Sequence, residues 1–155
     1  MTDKEVYIQE WIAEVSKEHE QLGGYSVCPY ASKSRSLIVE TPIDDIVPEP
    51  GHDVIIFIVE SFWRLDRVQK WVEYYNEKFH YYSFLGDCAS KETFINGIQT
   101  NNQKYNLILC QSKKKLSNIR KELSKTEYYN YWSEEYLKEI LGDDYEMVKD
   151  KGQQG

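Results

Sequence analysis

The stretch that decides the fold is Val54-Ile55-Ile56-Phe57-Ile58-Val59, which lies between Gly51-His52-Asp53 and Glu60-Ser61. All six residues are apolar, and most of them are β-branched. A run of this length and composition predicts a β-strand that is covered on both faces. It is far shorter than the roughly 20 residues that a membrane-spanning helix needs. We therefore expect residues 54–59 to form the centre of a sheet.

A helix and a second strand are predicted after this run. Ser61 is expected to cap a helix that extends to about Lys78, because apolar residues recur there at helical spacing. The apolar stripe consists of Leu65, Val68, Val72, Tyr75 and Phe79. The aromatic segment from Phe79 to Phe84 then predicts a strand. A strand, a helix and a strand in this order favour parallel, right-handed pairing of the two strands.

On the N-terminal side, a helix is predicted over residues 3–21. Thr2 and Glu5 form a capping-box pattern, and an apolar face continues to the pair Gly23-Gly24, which ends the helix. That face consists of Ile8, Trp11, Ile12, Val15, His19 and Leu22. A short strand is predicted over residues 36–40.

The C-terminal half of the chain continues the alternation of helices and strands. Its predicted elements are a short helix over residues 90–95, a turn at Asn96-Gly97, a strand over residues 105–110, a helix capped by Ser112 and a last helix between Ser133 and Gly142.

Together these elements predict an α+β fold. Helices packed on a sheet of about four strands suit a two-layer α/β sandwich, either ferredoxin-like or a permuted form of it. A small doubly wound α/β sheet is the alternative. We expect a single α/β domain over residues 1–148 and a flexible tail over residues 149–155.

Composition and charge argue against several classes of protein. The chain has 155 residues, 41% hydrophobic residues and a formal net charge of −7, as expected of a folded soluble domain. The excess of acids argues against nucleic acid or a membrane as a partner. The acidic N-terminus lacks the pattern of a signal peptide. Three cysteines without CxxC spacing indicate reduced thiols, so we expect a cytoplasmic location.

The common cofactor and metal motifs do not occur in the sequence. It contains no glycine-rich phosphate-binding loop and no GxSxG motif, and its cysteines and histidines are widely spaced. We therefore predict no cofactor and no metal site. The run Lys113-Lys114-Lys115 is interpreted as the exposed face of a helix rather than as a phosphate or RNA site.

The strongest chemical signal is Cys28-Pro29. Proline suits the first position of a helix, so a short helix starting at Pro29 would make Cys28 its N-cap, where backbone N–H groups favour a thiolate. Lys33 and Arg35 follow closely and would either favour the thiolate further or bind a small anionic ligand. His52 lies in a loop and is the predicted general base, with His19 as the alternative. The alternative is that Cys28 is a small side chain buried between a helix and a strand.

The same segment supports a resemblance to a family. Residues Val27-Cys28-Pro29-Tyr30-Ala31-Ser32-Lys33, after a helix that carries Trp11, resemble the Leu-Cys-Pro-Phe-Ala-Lys segment of an uncharacterised bacterial domain family. Tyr30 stands in place of the phenylalanine of that family, and Ser32 is an additional residue. Residues 53–57 resemble the next strand of the family. The resemblance covers the first half of the chain and implies a shared architecture and a shared role for Cys28.

A second function is suggested by the aromatic residues. The chain contains 13 tyrosines, and Tyr128, Tyr129, Tyr131 and Trp132 form a dense run. Such side chains often anchor protein interfaces, so an exposed run would bind a protein partner or form a homodimer. The alternative is that these rings pack in the core. The sequence thus leaves two hypotheses, a Cys28 thiolate in an anion-binding pocket and an acidic, tyrosine-rich, non-enzymatic interaction module.

Overall fold

The predicted central strand lies at an inner position of a four-stranded mixed sheet. The computed structural model describes residues 1–29 and 34–151. The strands are β1 (Ser36–Glu40), β2 (Val54–Val59), β3 (Tyr82–Asp87), β4 (Phe94–Ile95), β5 (Ile98–Gln99) and β6 (Asn106–Ser112). Their order in the main sheet is β1-β2-β6-β3, and β4 and β5 form a separate small hairpin.

Helices cover both faces of this sheet. The helices are α1 (Asp3–Val15), α2 (Leu65–Lys78), α3 (Lys113–Ser124) and α4 (Glu134–Leu141). Alternate residues of β2 point to opposite faces. Ile55 and Phe57 pack in the core formed with α2, whereas Ile56 and Ile58 pack against Ile8 of α1. This two-sided burial explains why the strand is uniformly apolar.

The prediction of an α+β fold with an α/β sandwich of about four strands is confirmed. The predicted direct pairing of the two strands that flank α2 is wrong. Strands β2 and β3 are each antiparallel to β6, which lies between them, so they form a split β-α-β unit. Strand β6 takes the central place because Leu107 and Ile108 are fully buried. Strand β1 runs parallel to β2, and the finer assignment to a ferredoxin-like fold stays a prediction.

Helix α1 ends earlier than predicted. It stops at Val15 rather than at residue 21, because the chain reverses and the backbone N–H of His19 donates to the carbonyl of Tyr25 at 3.1 Å. His19 is therefore extended, with φ −132° and ψ 134°, and does not belong to the apolar stripe of the helix. Leu22 reaches the core from a separate 3-10 turn.

Helix α2 begins later than predicted. Its first residue is Leu65, and Ser61 does not cap it. The carboxylate of Glu60 accepts a hydrogen bond from the indole N–H of Trp63 at 3.0 Å, and the backbone N–H of Trp63 turns back to the carbonyl of Glu60. These contacts keep the residues before Arg64 outside the helix. The following strand also starts later than predicted, at Tyr82.

The predicted short helix over residues 90–95 is wrong, because its last two residues form β4, which pairs with β5 in a hairpin. Its turn at Asn96-Gly97 is confirmed, and both residues have positive φ, 46° and 86°. Two consecutive left-handed residues match the right-handed twist of the flanking strands. The predicted cap of α3 is confirmed, since Ser112 accepts from the N–H of Lys115. The predicted start of α4 is also confirmed, and Ser133 caps this helix by accepting from the N–H of Tyr136.

The aromatic run after α3 lies in a second hydrophobic core. Tyr128, Tyr129 and Trp132 are only 5%, 2% and 7% exposed. The segment Tyr128–Tyr131 forms a 3-10 turn that directs these rings against α3, α4 and Leu22. The expectation of an exposed aromatic surface is therefore wrong for these three residues, and the alternative, packing in the core, is what the structure contains. Tyr131 is half-buried.

The C-terminal residues continue this second core. Val148 is buried, and the ammonium group of Lys151 donates to the carbonyls of Ser124 and Thr126. The division into a domain over residues 1–148 and a tail stays a prediction.

Within the described ranges, no helix combines the length and the apolar character needed to cross a bilayer.

Candidate functional site

Three charged residues from different parts of the chain meet at one end of the sheet. Strands β1 and β2 are parallel, with Ser36 paired to Val54, so the residues that precede both strands lie side by side. Strand β6 is antiparallel to β2, so its last residues and the start of α3 lie at the same end. This topology brings together Arg35, Asp53 and Lys115.

Asp53 is the centre of this group. Its Oδ2 accepts a hydrogen bond from the backbone N–H of Arg35 at 2.7 Å. The guanidinium Nε of Arg35 lies 3.7 Å from the same oxygen, and the ammonium group of Lys115 lies 3.5 Å from Oδ1. The Arg35 backbone N–H lowers the pKa of the Asp53 carboxyl, and the two cations add to this effect. One carboxylate thus positions two cations.

A small cleft of about 170 Å³ opens beside these side chains. It is lined by Ser34, Asp53, Gln111, Ser112, Lys115, Leu116 and Ile119. Lys113 and Lys114 are exposed next to it in the first turn of α3. The lining itself holds one acid and one base, and the further cations Arg35, Lys113 and Lys114 lie beside it in the chain, although the whole chain carries −7. The arrangement can attract and orient a small anion.

Cys28 lies at the carboxyl end of α1. It is exposed, so the alternative interpretation of Cys28 as a buried side chain is wrong. Its backbone N–H donates to the carbonyl of Val15 at 2.9 Å, and the hydroxyl of Tyr128 donates to the carbonyl of the preceding residue, Val27. The carboxyl end of a helix carries partial negative charge, so α1 does not favour a thiolate. The helical turn predicted from Pro29 falls on residues 30–33, outside the described residues.

The structure describes Arg35 and His52 among the other predicted site residues, and only Arg35 lies in the charged group around Asp53. Lys33 lies outside the described residues. Arg35 contacts Asp53, as described above. His52 is half-buried, and across residues 1–29 and 34–151 its side chain forms no hydrogen bond that would join it to Cys28. The role of His52 as a general base stays a prediction.

Sequence reasoning missed a buried polar network around Asp87. The Oδ1 of Asp87 accepts from both the backbone N–H and the side-chain amide of Asn102, at 2.9 and 2.6 Å. The neighbouring Asn101 donates to the carbonyl of Cys88 and accepts from the N–H of Thr93. Burial disfavours the charged carboxylate of Asp87 more than the two hydrogen bonds from Asn102 favour it, so the pKa of Asp87 rises to about 6. Asparagine is typical of turns, so nothing in the local sequence indicates that Asn101 and Asn102 are buried.

Asp53 and Lys115 were also not predicted as partners of Arg35. The lysine run was noted in the sequence, but only the sheet register places it beside the starts of β1 and β2.

In the part of the chain that the structure describes, no group of three or more His, Cys, Asp or Glu side chains is arranged to hold a metal ion. No protein-family model, curated protein or solved structure matches this chain in comparisons with known proteins.

Proposed function

We propose that the protein binds a small ligand bearing a phosphate or carboxylate group in the cleft beside Asp53, with Arg35 and Lys115 as the cationic contacts. The observation that supports this is the convergence of Arg35 and Lys115, from separate parts of the chain, on the carboxylate of Asp53, which lines the cleft together with Lys115. A guanidinium and an ammonium group beside one cleft provide the donors that such anions need.

Asp53 positions the two cations without neutralising both of them. Arg35 is 69% exposed and Lys115 57% exposed, so both retain donors directed to solvent. In the first turn of α3, the N–H of Lys113 donates to the carbonyl of Tyr81, and that of Lys115 to the hydroxyl of Ser112. Because these backbone donors are occupied, recognition depends on the side chains rather than on the helix terminus.

The test is a titration of the ¹⁵N-labelled protein with inorganic phosphate and, separately, with acetate. We expect saturable amide shifts centred on Arg35, Asp53 and residues 112–115. Replacing Lys115 or Arg35 by glutamine should weaken phosphate binding by about tenfold, the usual order for one charge-assisted contact. Shifts that are absent, or that spread evenly over the surface, would contradict the proposal.

Lys125→Gln provides a matched control for these variants. Lys125 directly follows the last residue of α3, is exposed, and also pairs with a carboxylate, that of Glu122 at 3.1 Å. The substitution changes the net charge by the same amount as Lys115→Gln. Phosphate affinity should stay unchanged in Lys125→Gln. An equal loss in both variants would mean that the anion responds only to net charge.

A second candidate function is nucleophilic chemistry at Cys28, and the exposure of its thiol favours it. Cys88 and Cys110 are buried, and burial raises their pKa to about 11 and about 12. We expect iodoacetamide at neutral pH to alkylate Cys28 alone in the folded protein, as measured by peptide mass spectrometry. The Cys28→Ser variant should take up no label until it is unfolded.

The rate of this alkylation tests the chemical role. A thiol poised as a thiolate reacts faster than glutathione at neutral pH, whereas an ordinary surface thiol does not. A rate at or below that of glutathione would remove the second candidate.

We also propose a cytoplasmic location, supported by three cysteines that form no disulfide.

A further inference from the structure

The two edges of the main sheet differ in how they are protected. Strand β3 forms one edge, and the side-chain amide of Asn76 in α2 covers it. This amide donates to the carbonyl of Phe84 at 3.1 Å and accepts from the N–H of the same residue at 2.7 Å. The contact imitates a neighbouring strand, so it hinders another chain from pairing with β3.

Among the described residues, none protects the other edge, β1, in a comparable way. The carbonyl of Arg35 accepts from β2 and the N–H of Thr41 donates to β2. Since backbone groups alternate along a strand, those of Ser36, Ile38 and Glu40 point away from the sheet. Within residues 1–29 and 34–151, no hydrogen bond reaches these outward groups. Strand β1 therefore offers three residues for pairing with another strand.

A groove of about 670 Å³ runs between β1 and one side of α1. It is lined by Glu5, Gln9, Ile12, Ala13, Ser16, Ser34, Ser36, Leu37 and Ile38. Its α1 residues recur at helical spacing, so they form a continuous wall above the edge of the sheet. The floor and wall are partly apolar, through Ile12, Ala13 and Ile38.

We propose that this edge is occupied by β1 of a second copy of the chain, in an antiparallel pair that joins two sheets into one. Because β1 has three outward residues, a two-fold axis can pass beside the middle one, Ile38, and relate the other two to each other across the pair. Ile38 then lies opposite Ile38 of the partner subunit, and Ser36 lies opposite Glu40 of the partner subunit. All three outward residues form hydrogen-bonded pairs in this register.

The chemistry of β1 favours a second copy as the occupant. Opposed residues lie on the same face of the sheet, so the Ser36 hydroxyl can donate to the carboxylate of Glu40 of the partner subunit. The symmetry produces this contact twice, and the central pair is apolar. Both Ser36 and Glu40 are exposed in the single chain. Lys4 of the same chain donates to Oε1 of Glu40 at 2.6 Å, so Oε2 is the oxygen available to the partner subunit. Because only five residues belong to β1, we expect a weak dimer with a dissociation constant on the order of micromolar.

Sedimentation equilibrium from about 5 to about 500 µM protein, at about 0.15 M salt, tests the dimer. The wild-type chain should change from monomer to dimer across this range. Ser36→Glu places a carboxylate opposite Glu40 of the partner subunit twice and should weaken the dimer by at least about tenfold. Ser36→Lys, the matched control, places opposite charges together and should keep or strengthen it.

Both variants change an exposed side chain, so thermal melting should show that they fold like the wild type. Hydrogen exchange supplies a second readout, because the amides of Ile38 and Glu40 should exchange more slowly as protein concentration rises. A wild-type chain that stays monomeric at every concentration overturns the proposal. Equal effects of Ser36→Glu and Ser36→Lys, or exchange at β1 that is independent of concentration, overturn the proposed register.

Discussion

Trp132→Ala should lower the free energy of unfolding by ~3–5 kcal/mol, the usual cost of removing a large aromatic side chain from a core. Trp132 packs against three rings, with centroid distances of 5.6 Å to Tyr128, 5.1 Å to Tyr129 and 5.0 Å to Tyr136. Removing it would leave a cavity where α4 and the 3-10 turn before it pack together. A loss of this size is a large part of the ~5–15 kcal/mol that stabilises a typical domain.

Urea unfolding followed by circular dichroism measures this loss. Tyr81→Ala is the control, because Tyr81 is 86% exposed and its removal should change stability by less than ~0.5 kcal/mol. Trp132→Phe keeps a ring in the core and provides an intermediate variant that still folds. If Trp132→Ala retained wild-type stability and instead abolished association with a partner, the aromatic run would be an interface after all.

Asp87→Asn should make the protein more stable near pH 7 and leave it unchanged near pH 4. The carboxyl pKa rises from 3.8 in the unfolded chain to about 6 in the folded protein. Between these values the folded protein holds a proton that the unfolded chain has lost, so stability falls as pH rises. A shift of about two units corresponds to ~3 kcal/mol. Asparagine stays neutral and can still accept from Asn102.

The difference in unfolding free energy between the wild type and Asp87→Asn, measured from pH 4 to pH 8, isolates this group from the other carboxyls. The difference should grow between pH 4 and pH 6 and become constant at higher pH. The buried Asn102 explains why the charged form is tolerated at all, since it directs two N–H donors at Asp87. A difference that is flat with pH would show that Asp87 titrates alike in the folded and unfolded chain.

The elements predicted correctly depend on signals within a few residues. The apolar run of β2 needs no information from elsewhere, because any sheet would bury it on both faces. Ser112 and Ser133 satisfy N–H groups in the first turn of the helices that directly follow them. The turn at Asn96-Gly97 follows in the same way from the ease with which these two residue types adopt positive φ.

The errors arise where a distant contact overrides the local pattern. The apolar stripe of α1 continues in sequence past Val15, but the chain reverses there, and the backbone N–H of His19 donates to the carbonyl of Tyr25 instead of continuing the helix. Segment 90–95 has a helix-capping serine, yet its last two residues form β4, which pairs with β5. In the candidate site, Arg35 was predicted as an anion contact, whereas its relation to Asp53 and Lys115 depends on the register of three strands.

The sequence by itself determined the class of the fold, the central strand, the cap of α3 and the acidic character of the chain. These follow from hydrophobic periodicity, backbone capping and composition, which are properties of neighbouring residues. Only the tertiary structure decided which strand lies between β2 and β3, which aromatic rings are buried and which charges meet. Strand order, burial and charge contacts join residues far apart in the chain, and their free energies appear only when those residues are packed together.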